Sequence, residues 1–466
     1  MVKDTKNNNR QNYFDSIIAV MKVTRRTIAT IILGTGLAFS TFSCKDQNDP
    51  ITELKGEDGT MIDNGEYADE ESEGSEKEIG NIALAEDEVL VDGQVRKVDY
   101  WIETSDTYVK ASDKPEWNKP GVVLAFRAGT GPRPRLTLIG FKGSASEPIV
   151  ITNKDKVEIA GTDAGQHALK FIDAQHVRVL GNGNPKHYYG IHISESGSSG
   201  FSFDGKSTDF EVAYTHIENT GFAGILAKTD DAQGWTMTNV RLHHNHIHHV
   251  HGEGMYIGQT KVDKAHDIVG LKVYNNLIHD TGWDLFQVAN VTGDIEVYNN
   301  TMINGGTSGV PMQNQGFQIG DWSTGKYYNN IIADTHSRFL FIKGGHSIEL
   351  YNNYFSGSGK DVEGAFLKTE ARVDRGAMLE IRDNFFRDYE GVLFKSMIAS
   401  HGVLIKDNKF SPRGDAKVIE YSGGNPNMHT LEGNETVELP KIELDDNYRI
   451  KSGSYYHGME MGYEVE

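Results

Sequence analysis

From about residue 121 onward, apolar residues fall into short runs of strand length, and strong helix-forming stretches are few. One phrase recurs: an apolar strand, a polar or aromatic residue, two Asn-like residues, then a second apolar strand. Its copies are VRLHHNHI, LKVYNNLI, IEVYNNTM, GKYYNNII, IELYNNYF, LEIRDNFF and VLIKDNKF. Their final asparagines are Asn245, Asn276, Asn300, Asn330, Asn353, Asn384 and Asn408, at spacings of 31, 24, 30, 23, 31 and 24 residues. Such intervals are too short for independent domains and fit one coil of a solenoid. Stacked coils bring equivalent positions to about 4.8 Å. An amide side chain both donates and accepts, so a column of Asn can bond to itself and to the turn backbone. Asn also tolerates left-handed turns.

The pattern predicts an all-β, right-handed parallel β-helix: a single-stranded solenoid with an asparagine ladder over residues 121–440. Residues 81–120 read as an N-terminal cap covering an otherwise open edge, and 441–466 as a C-terminal cap or tail. Abundant glycine (51) with little proline (11) suits many strands joined by tight turns.

The start of the chain has a different character. From Met21 the sequence MKVTRRTIATIILGTGLAFSTFSC has a cationic start, an apolar run and small residues before Cys44, the layout of a secretory signal. Residues 1–44 resemble a bacterial lipoprotein signal, which implies Cys44 as lipid anchor, with Met21 an alternative start. A signal cut nearby or a single membrane anchor is the other reading. Residues 45–80 form an acidic tether: positions 45–79 carry 13 Asp/Glu against 3 Lys, too polar to bury a core. The net charge of −20 argues against nucleic acid as a partner. Cys44 is the single cysteine, so neither an internal disulfide nor a cysteine-based zinc site is available.

Aligning the coils by their asparagines predicts which side chains become neighbours. In the strand following each third turn, Leu226, Tyr256, Gln287, Gln318, Phe341 and Phe366 form an outward column, with Lys228, Lys343, Lys368 and Lys395 one pleat further. Just before this strand, Ala223, Glu253, Asp284, Gln315 and Arg338 share a turn column. Carboxylates stacked one coil apart, about 5 Å, raise one another's pKa or are held by a cation. Glu253 and Asp284 are thus candidates for a retaining-glycosidase pair, for Ca²⁺ ligands, or for plain turn caps. His251 is the acid or base nearest Glu253 in sequence. Tyr256, Gln287, Gln318, Arg338 and the lysines Lys228, Lys343 and Lys395 are candidate substrate contacts. A lysine stripe in an acidic protein suits uronate-rich glycans, although a solvated surface row also accounts for it. The histidines of VRLHHNHIHHVHGEG, with His248 over His279 and His249 over Asp280, suit either surface stacking or a transition metal. Tyr274, Tyr298, Tyr328 and Tyr351 form a ladder that either stabilises the stack or holds sugar faces. GxSxG, HExxH and P-loop motifs are absent.

The repeat resembles the right-handed parallel β-helix of pectate lyases and their relatives in the polysaccharide lyase superfamily. The chain as a whole resembles the surface lipoproteins of Gram-negative glycan degraders. The segment AFLKTEAR, with Glu363 and Lys368, is similar to the chondroitinase B and alginate lyase group. There a lysine base is paired with an arginine one coil later, and calcium neutralises the uronate. Here Lys395 stands on the next coil and Arg372 in the following turn. The resemblance implies a monomeric, surface-exposed outer-membrane lipoprotein that acts on an acidic polysaccharide by β-elimination, with Lys368 as base. A glycoside hydrolase using Glu253 and Asp284, and a non-catalytic glycan-binding scaffold, are the alternatives.

Overall fold

The computed structural model describes residues 82–464 apart from 128, 130, 162, 230–233, 262–263, 358–362 and 370–371. The signal, Cys44 and the acidic tether lie outside the described residues. Nearly every element is a strand. Among the described residues, three parallel sheets of 12, 13 and 11 strands run side by side, and from Ile149 to Tyr421 each coil contributes one strand to each sheet. In one coil Thr236–His243 joins sheet 2, His246–Val250 joins sheet 3 and Met255–Ile257 joins sheet 1. The next coil repeats this with Asp267–Tyr274, Leu277–Thr281 and Phe286–Val288. The chain is a right-handed parallel β-helix.

The turn from sheet 2 to sheet 3 explains the paired Asn-like residues. The first member takes the left-handed conformation, as at Asn275 (φ 51°), Asn299 (51°), Asn329 (56°) and Asn352 (52°). The second forms the ladder. Asn276 donates from its backbone N–H (3.1 Å) and from Nδ2 (2.9 Å) to Asn300 Oδ1, and Asn300 does the same to Asn330 (3.1 and 2.9 Å). The file runs from Asn245, which accepts from Thr215, to Asn434, a further member that lacks a flanking apolar strand on both sides.

Inward positions build one continuous apolar core in which equivalent rings stack coil on coil, as in Phe286–Phe317 (5.0 Å) and Phe355–Phe386 (5.1 Å). Outside, His243, Tyr274, Tyr298, Tyr328 and Tyr351 stack at 4.5, 5.1, 5.1 and 5.0 Å. Arg382 continues that ladder 4.1 Å from Tyr351, where the next aromatic would stand.

Both ends of the described chain fold back along the sides of the coil stack. A hairpin, Glu88–Val91 with Gln94–Lys97, packs Val89 and Val91 against Val123, Ala125 and Val150 of sheet 2. The first strands of sheets 2 and 1, Tyr100–Ile102 and Tyr108–Lys110, lie within the predicted cap. At the other end Leu439, Ile442, Tyr456 and Met461 bury themselves against Ile331, Ala333, Tyr354 and Phe385 on sheet 3. No helix among the described residues is long and apolar enough to cross a membrane.

Candidate functional site

The turn column before sheet 1 forms as the repeat predicts. The Gly224 amide donates to the Glu253 carbonyl, Gly254 to Asp284, Leu285 to Gln315 and Gly316 to Arg338. Successive turns approach so closely that a Cβ on Gly254 would lie 2.4 Å from the Leu285 carbonyl oxygen. Glycine after Glu253 therefore follows from stacking. Glu253 and Asp284 are 2% and 0% exposed. Asp284 Oδ1 accepts from the Gln315 backbone N–H at 2.7 Å, the capping role expected of a turn carboxylate. Its Oδ2, Glu253 Oε2 and both polar atoms of the Gln315 amide have no partner among the described residues. Capping thus accounts for one oxygen of Asp284 and leaves Asp284 Oδ2 and Glu253 Oε2 unexplained.

Burial pushes Glu253 up to about 7 against the weaker opposing pull of its own backbone and of Lys228. Burial, and then the Glu253 charge, push Asp284 well above the usual carboxylate range, opposed by the Gln315 N–H and Lys343. A carboxyl whose pKa is raised in the folded state favours folding in its protonated form. That contribution is complete below pH ~4.5 and is lost as pH rises toward 7. Glu253→Gln is accordingly expected to raise stability at pH 8 by up to about 3 kcal/mol while leaving it unchanged at pH 4. Urea titrations across that range would show it, and equal effects at both pH values would exclude the raised acidity.

The outward column of sheet 1 has the predicted register, Leu226–Tyr256–Gln287–Gln318–Phe341–Phe366. Gln318 Nε2 donates to Gln287 Oε1 at 2.5 Å, and Lys228 lies 5.0 Å from the Tyr256 ring. Tyr256, Gln287 and Gln318 are buried.

Several predicted neighbours change. Lys343 and Lys368 stand on consecutive coils, since each donates its amide to the coil before, to Ile319 and Ile342 respectively. Lys395 pairs with Phe366 instead of Lys368 and stands beside Glu420, so the lysine column is two long and not three. The physical reason is turn length: the turn into sheet 1 varies between coils, so distance from the ladder Asn does not set this register. Arg338 is held by Glu363, Nε to Oε1 at 2.6 Å, which neutralises the charge expected to meet substrate. Arg372, the arginine expected to assist Lys368, reaches Asp321 (2.7 Å) and Asn290 (2.8 Å). His251 is exposed, whereas Glu253 is buried.

A cleft of about 430 Å³ lies elsewhere, on the outer face of sheet 2 under the N-terminal hairpin. At its floor Glu211 accepts from Arg178 (3.0 Å), Arg241 (2.9 Å) and His243 (3.2 Å), while Arg178 also grips Asp92 of the hairpin at 2.7 Å with two nitrogens. This cluster escaped the sequence reading. The available signal was the alternation of Arg178, Glu211 and Arg241 at one register position of three consecutive coils.

No protein-family model matches the chain, and no curated protein sequence matches it. Among solved structures the chain is similar to a GH136 lacto-N-biosidase from Eubacterium ramulus (13% identity, TM-score 0.47, 73% of this chain and 68% of that one). It is similar also to an alginate lyase from Paenibacillus sp. str. FPU-7 (16%, 0.37, 70% and 98%) and to the pectate lyase Pel9A (9%, 0.44, 77% and 91%). Likeness this distant says nothing of what this chain does. By its own three sheets and asparagine ladder, the chain is a right-handed parallel β-helix.

Proposed function

We propose that this chain is a carbohydrate-active protein that acts on an acidic polysaccharide at the turn between sheets 3 and 1, most readily by β-elimination. One observation carries the reading: Glu253 and Asp284 are stacked, buried and incompletely hydrogen-bonded, and the charges of Lys228 and Lys343 act on them. A carboxyl near 7 exchanges protons at neutral pH, as general acid–base catalysis requires. The lysines, with Lys368 on the next coil, would draw and orient uronate carboxylates. In the elimination a base removes the proton α to the uronate carboxylate, the glycosidic C–O bond breaks, and the leaving oxygen takes a proton, with no other reactant.

The unpartnered oxygens of Glu253, Asp284 and Gln315 also favour a second reading, in which these three side chains hold Ca²⁺ as part of its oxygen shell. Bound there, the ion would neutralise the pair and offer a Lewis acid to a uronate. We further propose export and display at the cell surface through a lipid on Cys44.

The test is incubation of the purified chain with a panel of uronate polysaccharides, with Ca²⁺ or with chelator. Unsaturated, ultraviolet-absorbing products support the lyase, and new reducing ends without that absorbance support a hydrolase at the same pair. Retention without cleavage supports a glycan binder. Glu253→Gln and Asp284→Asn are each expected to lower cleavage by about 100-fold or more. Full activity in both variants would remove the pair from the chemistry.

A further inference from the structure

On the outer face of sheet 3, away from the carboxyl pair, imidazoles converge by their tips. His192, His216 and His246 occupy one register position of three consecutive strands, their rings stacked at 4.4 and 4.8 Å. Two residues further along, and displaced by one strand, Glu218, His248 and His279 form a second file. The files meet diagonally. His216 Nε2 lies 2.7 Å from His248 Nε2, His246 Nε2 lies 2.8 Å from His279 Nε2, and His192 Nε2 lies 2.7 Å from Glu218 Oε1.

Simple ring stacking along a ladder leaves equivalent nitrogens side by side at the strand spacing, as the tyrosine ladder of sheet 2 leaves its rings. Here the nitrogens of different strands turn toward one another, and one ligand atom from each of His216, His246 and His248 lies within 4.8 Å of the other two. His279 Nδ1 is hydrogen-bonded to Asp280 Oδ2 at 2.6 Å, the carboxylate–histidine arrangement that orients an imidazole. Tyr448 of the C-terminal segment stacks on His279 at 4.7 Å, and Tyr189 stands 5.9 Å from His246, walling the group on two sides.

We propose that His216, His246 and His248 bind one transition-metal ion of the zinc class, with His279 beside them and the ion's remaining position open to water or another ligand. Three imidazole donors suit Zn²⁺, Cu²⁺ or Ni²⁺ and do not suit oxygen-seeking Ca²⁺ or Mg²⁺. Tetrahedral zinc at about 2.0–2.1 Å holds its nitrogens about 3.3 Å apart, so the His216 and His248 tips need open by only about half an ångström, within the reach of ring tilt. His216 is shared with the neighbouring set His192, His216 and Glu218, so the site takes one ion rather than two.

The test uses the full chain without a polyhistidine tag, stripped with chelator and titrated with Co²⁺ and then Zn²⁺. The expected result is one equivalent of Co²⁺ giving visible absorption of low-symmetry nitrogen coordination, displaced by one equivalent of Zn²⁺ and unaffected by excess Ca²⁺. His246→Gln with His248→Gln should weaken zinc by about 100-fold or more, while His401→Gln should leave it unchanged. Should the double variant fail to fold, the unaltered chain still decides: zinc must protect His216, His246 and His248 from diethyl pyrocarbonate, read residue by residue by mass spectrometry. No stoichiometric Co²⁺ or Zn²⁺ uptake, or equal labelling with and without zinc, overturns the proposal.

Discussion

Asn300→Ala is expected to destabilise the fold by about 4 kcal/mol, since several buried polar groups lose their partners at about 1–3 kcal/mol each. The Asn300 amide accepts from the backbone and side chain of Asn276 and donates to the Val273 and Tyr298 carbonyls and to Asn330. All of these lie where water does not reach, because Asn276, Asn300 and Asn330 are at most 1% exposed. The adjacent Asn299 provides the control. It takes the left-handed turn conformation (φ 51°), and its Oδ1 has no hydrogen-bond partner among the described residues, so Asn299→Gly should change stability by less than about 1 kcal/mol. Denaturant midpoints of the two variants, one residue apart, separate a ladder position from a merely conformational one. Equal effects would mean that the ladder amides contribute nothing beyond turn geometry.

Glu211→Ala should cost a comparable amount, about 3–5 kcal/mol, for a different reason: it leaves two guanidinium groups facing one another over a buried floor. Glu211 is 3% exposed. Burial alone would raise its pKa, yet hydrogen bonds from His243 and Arg178 hold it well below the usual carboxylate range. For a carboxyl lowered by folding, the stabilisation is present above pH ~4.5 and is lost as pH falls below it. The wild type should therefore lose stability steeply on acidification and the variant much less. Arg178→Met with Glu211→Leu should recover most of the loss, since an apolar pair of similar volume replaces a desolvated ion pair at little cost. The hairpin holding Asp92 would then dock less firmly, because Arg178 bridges it to the floor. Hydrogen exchange at Val89–Val91 reports that directly, and unchanged protection there would contradict the bridging role.

The two carboxyl sites titrate in opposite senses because their neighbours differ. Glu211 is surrounded by donors and stays charged, whereas Glu253 meets little but buried surface and a second carboxyl. The contribution of Glu253 is therefore lost as pH rises toward 7, and that of Glu211 as pH falls below ~4.5.

Much of the fold was legible in the sequence, because the ladder asparagines sit in a two-residue turn of fixed length. The register of sheets 2 and 3 could be counted from them, which placed Tyr274 on Tyr298 and His248 on His279. The stacking of Glu253 on Asp284 was legible for the same reason, with glycine marking how closely the turns approach. Tertiary structure alone decided whatever depends on turns of unequal length or on distant segments. It moved Lys395 off the lysine column, neutralised Arg338 with Glu363, and put Arg372 on Asp321, 51 residues away. It also laid Asp92 against Arg178 and Tyr448 against His279. A periodic sequence states which residues repeat. Which charges end up paired is a matter of three-dimensional distance, and distance between segments of irregular length is not written in the period.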